Sequence, residues 1–198
     1  MQPQESSALT APRLSTTVAN DPRPDKDISF RPPVPADAAR ISALIADCPP
    51  LDTNSVYCNL LQCSDFADTC IVAERSGTIV GWISGYRPPA KQDKFFVWQV
   101  AVSDSARGEG LGGQMLDALL ERPALQGVLS LTTTITEDNA ASWALFESFA
   151  GRHGATLRRT PRFERDRHFG GAHETEWEAR IGPLPTAYRK LSKTRELI

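Results

Sequence analysis

An apolar strand that runs directly into a glycine-rich helix opening, FFVWQVAVSDSARGEGLGG (Phe95–Gly113), constrains this chain more than any other stretch. Alternation predicts a strand from Phe95 to Val102, with Phe96, Trp98, Val100 and Val102 on one face and Phe95, Val97, Gln99 and Ala101 on the other. Ser103 and Asp104 end it. From Leu111 the apolar spacing changes to three and four, through Met115, Ala118 and Leu119, which predicts a helix. Between the two lies Arg107-Gly108-Glu109-Gly110-Leu111-Gly112, followed by Gly113. Glycines at such a junction let main-chain N–H groups close on an anion with no Cβ in the way, and the helix start adds a partial positive charge. The stretch therefore predicts a diphosphate cradle. It is not a Walker loop, because no Gly-Lys-Ser/Thr follows, and no βαβ unit with an acidic residue about twenty positions on supports a dinucleotide site.

The remainder of the chain predicts one α/β domain around this unit. Its 198 residues suffice for a single core, and 40% hydrophobic with 23% charged residues is a globular composition. A formal net charge of −2 argues against nucleic acid or acidic lipid as partner, and no run approaches the roughly 18 apolar residues of a membrane helix. No cationic start followed by an apolar core marks a secretory signal. Cys48, Cys58, Cys63 and Cys70 form neither a zinc pattern nor a Cys-x-x-Cys pair, so free thiols in a reducing cytoplasm and no metal are expected. Residues 1–26 read as a disordered tail, 27–184 as the domain and 185–198 as a polar tail. Strands are expected at 28–31, 69–75, 78–86, 128–135, 155–158 and 177–181. Helices are expected from Pro35 to the Pro49-Pro50 stop, from Leu51 to about Asp65 with Asp52 or Asn54 as N-cap, over 111–121, and from Asp138-Asn139 with Ser142, Leu145, Phe146 and Phe149 inward. Residues 160–175 read as a loop.

An Arg-x-x-Gly-x-Gly loop directly after a strand ending in Ala-Val resembles motif A of the GNAT acetyltransferases. The order of elements is the one that family's fold would give. The resemblance implies a mixed sheet splayed between its fourth and fifth strands, with acetyl-CoA as co-substrate. Its pantetheine arm would lie along Val100, Ala101 and Val102, and its diphosphate would rest on Arg107, Gly108, Gly110, Gly112 and Gly113. Asn139 corresponds to a cofactor-contacting asparagine, although helix capping alone also accounts for it. Phe146 stands at the cofactor-side position where many relatives carry a tyrosine that protonates the leaving thiolate. That acid must therefore come from elsewhere.

Four blocks, 48–57, 95–102, 133–146 and 170–183, are similar in order to the L-2,4-diaminobutyrate acetyltransferases within that family. The resemblance implies a cytoplasmic homodimer that acetylates the γ-amine of diaminobutyrate on the route to ectoine, by direct attack in a ternary complex. Asp52 would anchor the α-ammonium, with Asn54, Tyr57, Trp98, Gln99, Thr133 and His173 around the substrate. Asp52, Tyr57, Trp98 and Thr132 are the expected catalytic set. At Thr132 the family carries a strand glutamate, a candidate general base, and Glu137 lies about 16 Å further along an extended strand. That departure leaves open a GNAT enzyme for another small diamine or amino acid, or a CoA-binding module without catalysis.

Overall fold

The computed structural model describes residues 28–185. The tail expected at 1–26 and all but the first residue of that expected at 185–198 lie outside them. The described chain runs β1 (Ile28–Arg31), α1 (Ala38–Ala46), α2 (Val56–Ser64), β2 (Ile71–Arg75), β3 (Thr78–Tyr86), β4 (Lys94–Val102), α3 (Leu111–Leu120), β5 (Ser130–Thr136), α4 (Ala140–Arg152), β6 (Thr156–Phe163), α5 (Arg165–Phe169) and β7 (Glu176–Gly182). The strands form one seven-stranded sheet in the order β1-β2-β3-β4-β5-β7-β6.

Two cores cover the sheet. The larger packs α3 and α4 on one face, with Met115, Leu116, Leu119, Phe146 and Phe149 against Phe95, Val97, Leu131 and Ile181. The smaller packs Ile41 and Ile45 of α1 and Cys63 of α2 against Val72, Trp82 and Ala101. These are the residues that a 3.6-residue period on the helices and a two-residue period on the strands turn inward. Asp37, just before α1, is buried, and Arg31 binds it with both terminal nitrogens while also holding Glu74.

All pairings are antiparallel except β4 with β5. That parallel ladder joins only Lys94–Phe96 to Ser130–Thr132 before the strands part. Beyond it β5 pairs with β7 through Thr136. The expected splay is present.

Strict alternation along β4 fails at one point. Gln99 is opposite Ser84 and Val97 opposite Gly85, so Trp98 is an extra residue, a β-bulge. Phe95 and Val97 belong to the larger core, and Val100 and Val102 pack against that same core, whereas Ala101 lies in the smaller one. The expected single face of Phe95, Val97, Gln99 and Ala101 is thus split. The reason is that a bulge inserts one residue and reverses the sense of alternation after it.

Three further expectations are corrected. α2 is capped by Ser55, whose Oγ accepts from the Cys58 N–H at 3.1 Å, and not by Asp52 or Asn54. The region 160–175 is no loop: β6 continues to Phe163 and α5 follows. Pro161 is tolerated because β6 is an edge strand with a register shift beside that residue. The last strand begins at Glu176, one residue before the expected Trp177.

Candidate active site

The glycine junction folds as its composition requires. Gly108 and Gly110 have φ of +79° and +72°, a region costly for residues with a Cβ, and Gly110 is the N-cap of α3. The first-turn N–H groups of α3 are therefore left without intrahelical partners beside two bends that only glycine adopts easily. A Cβ on Gly112 would stand 3.2 Å from Leu145, and one on Gly113 2.8 Å from the Arg152 guanidinium. Small residues keep the space between α3 and α4 open.

A cleft of about 600 Å³ occupies that space. Its walls include Val100 and Val102 of β4, Arg107, Gly108, Gly110, Gly112 and Gly113 of the junction, Asn139 and Leu145 of α4, and Arg152. It contains two arginines and not one carboxylate. Arg107 is half-exposed and held by Asp104 at 2.6 Å. Such a surface suits an extended polyanion with an apolar arm. The residues present thus fit acetyl-CoA.

A second hollow of about 640 Å³ lies across the gap between β4 and β5. It is lined by four carboxylates, Asp52, Asp138, Glu174 and Glu176, against one arginine, Arg165. Asn54, Trp98, Gln99, Thr133, Phe146 and His173 complete much of its wall. The two spaces share Pro50, Leu51, Val100, Asn139 and Ser142, so they adjoin along these residues. An anion-seeking cleft meets a cation-seeking pocket at Val100.

Gln99 ties the pocket floor to the loop before α2. Its Nε2 donates to the Asp52 carbonyl at 2.9 Å, and its Oε1 accepts from Asn54 Nδ2 at 3.0 Å. The bulge at Trp98 turns Gln99 toward that loop. Asn139 Oδ1 accepts from the Ser142 N–H at 3.0 Å, so it caps α4 while lining both spaces.

Glu176 was not foreseen. It sits at the start of β7 opposite Thr136, with its side chain one-fifth exposed. Loss of solvent pushes its carboxyl above the ordinary range; a hydrogen bond with Thr134 and the nearby His173 oppose this, and the charge of Asp52 adds to it. His173 Nε2 lies 4.0 Å from the Glu176 carboxylate. A carboxylate with a raised pKa in a cleft is suited to taking up a proton. No sequence pattern singled it out, because only the β5–β7 register brings it to the gap.

Several expected residues fall elsewhere. Tyr57 is 69% exposed on α2 and lines neither space. Thr132 is buried in the paired stretch between Phe96 and Arg180, deeper in the sheet than the pocket wall at Thr133 and Thr134. Ala101 turns its side chain into the smaller core, which leaves only its main chain to meet a pantetheine arm. Phe146 lines the acidic pocket and not the cofactor-side cleft. Trp98 is a wall of the acidic pocket, with half of its surface exposed.

Comparison with known proteins agrees with this geometry. Residues 39–151 match the model of the acetyltransferase (GNAT) family. The chain is 46% identical over 165 residues to the L-2,4-diaminobutyric acid acetyltransferase of Methylotuvimicrobium alcaliphilum, covering 81% of this chain and 96% of that one. It is 51% identical over 158 residues to the enzyme of the same name from Vibrio parahaemolyticus, covering 80% and 87%. Among solved structures, the diaminobutyrate acetyltransferase EctA from Paenibacillus lautus, in complex with its substrate L-2,4-diaminobutyric acid and coenzyme A, matches with a TM-score of 0.76 at 38% identity. The match covers 79% of this chain and 95% of that one.

Proposed function

This chain belongs to the GNAT acetyltransferase family and, within it, to the diaminobutyrate acetyltransferases, and from that premise we propose that it transfers acetyl from acetyl-CoA to the γ-amino nitrogen of L-2,4-diaminobutyrate, a step of ectoine synthesis. The observation that carries the reading is the joining of a carboxylate-free, arginine-bearing cleft to a pocket with four carboxylates. The first suits a CoA diphosphate, the second a substrate with two ammonium groups.

Acetyl-CoA supplies an acetyl group activated as a thioester. Gly108, Gly110, the first turn of α3 and Arg107 hold the diphosphate end, and Val100 and Val102 border the arm. Past Phe96 the β4 main chain has no ladder partner on the β5 side, so its N–H groups there are free to donate to an oxygen that gains negative charge. Asp52 and the acidic rim bind the α-ammonium. Glu176, kept basic enough by burial to accept a proton, deprotonates the γ-ammonium so that its lone pair attacks. Phe146 has no proton to give the departing thiolate, so that proton comes from solvent or from Glu176 after it has been protonated.

Val56, Tyr57 and Leu60 present an exposed apolar strip on α2, and this strip supports a homodimer. No helix among the described residues is long and apolar enough to cross a membrane. The reading places the enzyme in the cytoplasm, where its four free cysteines stay reduced.

Purified protein is tested with acetyl-CoA and diaminobutyrate, ornithine, lysine or 2,3-diaminopropionate, with NMR of the product. Preference for diaminobutyrate and modification at the γ nitrogen are expected. Preference for ornithine, or CoA binding with no turnover of any amine, refutes the reading. Sedimentation of the wild type and of Leu60→Asp tests the dimer, which the substitution should dissociate.

A further inference from the structure

The block Arg180–Pro183 belongs to the resemblance in sequence but lines neither the cleft nor the acidic pocket. Ala179 and Ile181 are buried in the larger core, so Arg180 stands on the opposite face of the sheet. It lies directly across from Arg158 of β6. Like charges opposite each other on adjacent strands repel. Among the described residues neither arginine has a carboxylate within ion-pair distance; Glu178, next along that face, is held by Arg162 at 3.4 Å.

Beside this pair is a hollow of about 370 Å³, whose wall includes Ser130, Thr156, Arg158, Arg180 and Gly182, together with one carboxylate, Asp93. Ser130 is only 4% exposed, and its Oγ has no hydrogen-bond partner. Gly182 keeps the hollow open, since a Cβ there would press on Ser130 at 3.1 Å and on the Leu129 carbonyl at 3.2 Å. Asp93 is exposed and pairs with neither arginine. A buried hydroxyl without a partner and two facing guanidiniums without a counter-charge make one coherent set of donors.

We propose that Arg158, Arg180 and Ser130 form a second ligand site, which binds a small oxyanion such as a phosphate or a dicarboxylate. The two guanidiniums neutralise the charge and the Ser130 hydroxyl donates to one oxygen. The site is distinct from the active centre: Ser130 to Thr134, and Arg180 to Glu176, are each four residues of extended strand, about 13 Å. It nevertheless rides on the same two strands that carry the acidic pocket.

The test uses the full chain saturated with CoA, so that the diphosphate cradle is occupied. Inorganic phosphate or succinate is titrated at constant ionic strength while the thermal midpoint is followed. A saturating rise of roughly 5–10 °C is expected at about a hundredfold excess over Kd. Arg158→Gln or Arg180→Gln should abolish the rise, and Ser130→Ala should weaken binding severalfold. A response to phosphate alone or to succinate alone assigns the oxyanion class. Without added anion, Arg158→Gln should retain wild-type acetyl transfer. A rise that does not saturate, or one equal in wild type and both arginine variants, is a general electrolyte effect and overturns the proposal.

Discussion

Replacing Glu176 by Gln keeps the shape of the side chain and removes its capacity to accept a proton. General-base catalysis contributes about 10²–10⁴ in rate, so kcat/KM for diaminobutyrate should fall by that factor, about 3–5 kcal/mol of transition-state stabilisation. The effect on the fold has the opposite sign. Burial raises the folded pKa of Glu176 above its unfolded value. The stability linked to this group is therefore complete below the unfolded pKa, about 4.3, and is lost as pH rises through the folded value. Near neutral pH the ionised carboxylate destabilises the unliganded chain, and the amide should raise the thermal midpoint there. In acid, where the carboxylate is already protonated, the midpoints of wild type and variant should converge. The assay pairs CoA-thiol release across a pH series with thermal unfolding at the same pH values. In the wild type, kcat/KM should climb on the acid side through a pKa above the ordinary glutamate range; in the variant that limb should vanish. Overlapping pH–rate profiles would refute the assignment. So would lost activity accompanied by a lowered midpoint and weaker CoA binding, because that combination indicates a structural role.

Gln99→Ala should raise KM for diaminobutyrate roughly tenfold and leave KM for acetyl-CoA unchanged, because it releases the Asp52–Asn54 loop through the loss of two hydrogen bonds. Steady-state kinetics in each substrate would show this. Gly110→Ala should do the reverse: a side chain at φ +72° costs about 1–2 kcal/mol and distorts the cradle, so KM for acetyl-CoA rises. Asp37→Asn should cost roughly 2–4 kcal/mol at neutral pH without changing KM for either substrate. The Arg31 guanidinium holds the Asp37 carboxyl below the usual range, so its contribution is present above the unfolded pKa and lost as pH falls through the folded one. Denaturant midpoints of wild type and variant should converge in strong acid.

What the sequence disclosed was local. The strand ending in Ala-Val, the glycine junction and the apolar period of α3 all follow from neighbours within a few positions, and each stands where its pattern put it. Four features depended on distant partners. Ser55, Asn54 and Asp52 are all competent cap residues, but Asn54 is held by Gln99 of β4 and Ser55 caps the helix. Pro161 spoke against a strand, but β6 occupies an edge where the absent N–H matters little. Glu176 is one of several acidic residues near a strand start, and nothing in the local pattern separates it from Glu174 or Glu178. Thr132 was singled out by its place in a motif, yet its depth in the β4–β5 pairing keeps it from the pocket wall.

The extra residue in β4 explains how one strand serves both halves of the site. Without it, simple alternation would put Gln99 with Phe95 and Val97 in the larger core, and Val100 on the α1–α2 side. The insertion at Trp98 reverses both. Gln99 thereby reaches the Asp52–Asn54 loop and builds the acidic pocket. Val100 thereby borders the cleft, where its Cγ1 is 3.8 Å from the position a Cβ on Gly112 would take. Bulges also bend a strand, and β4 leaves β5 after Phe96, two residues before the insertion. The gap, the loop anchor and the cleft wall then share one cause. A change in residue count at 97–99 should accordingly harm both substrate sites together, whereas a change of side chain at Trp98 or Gln99 affects the pocket alone.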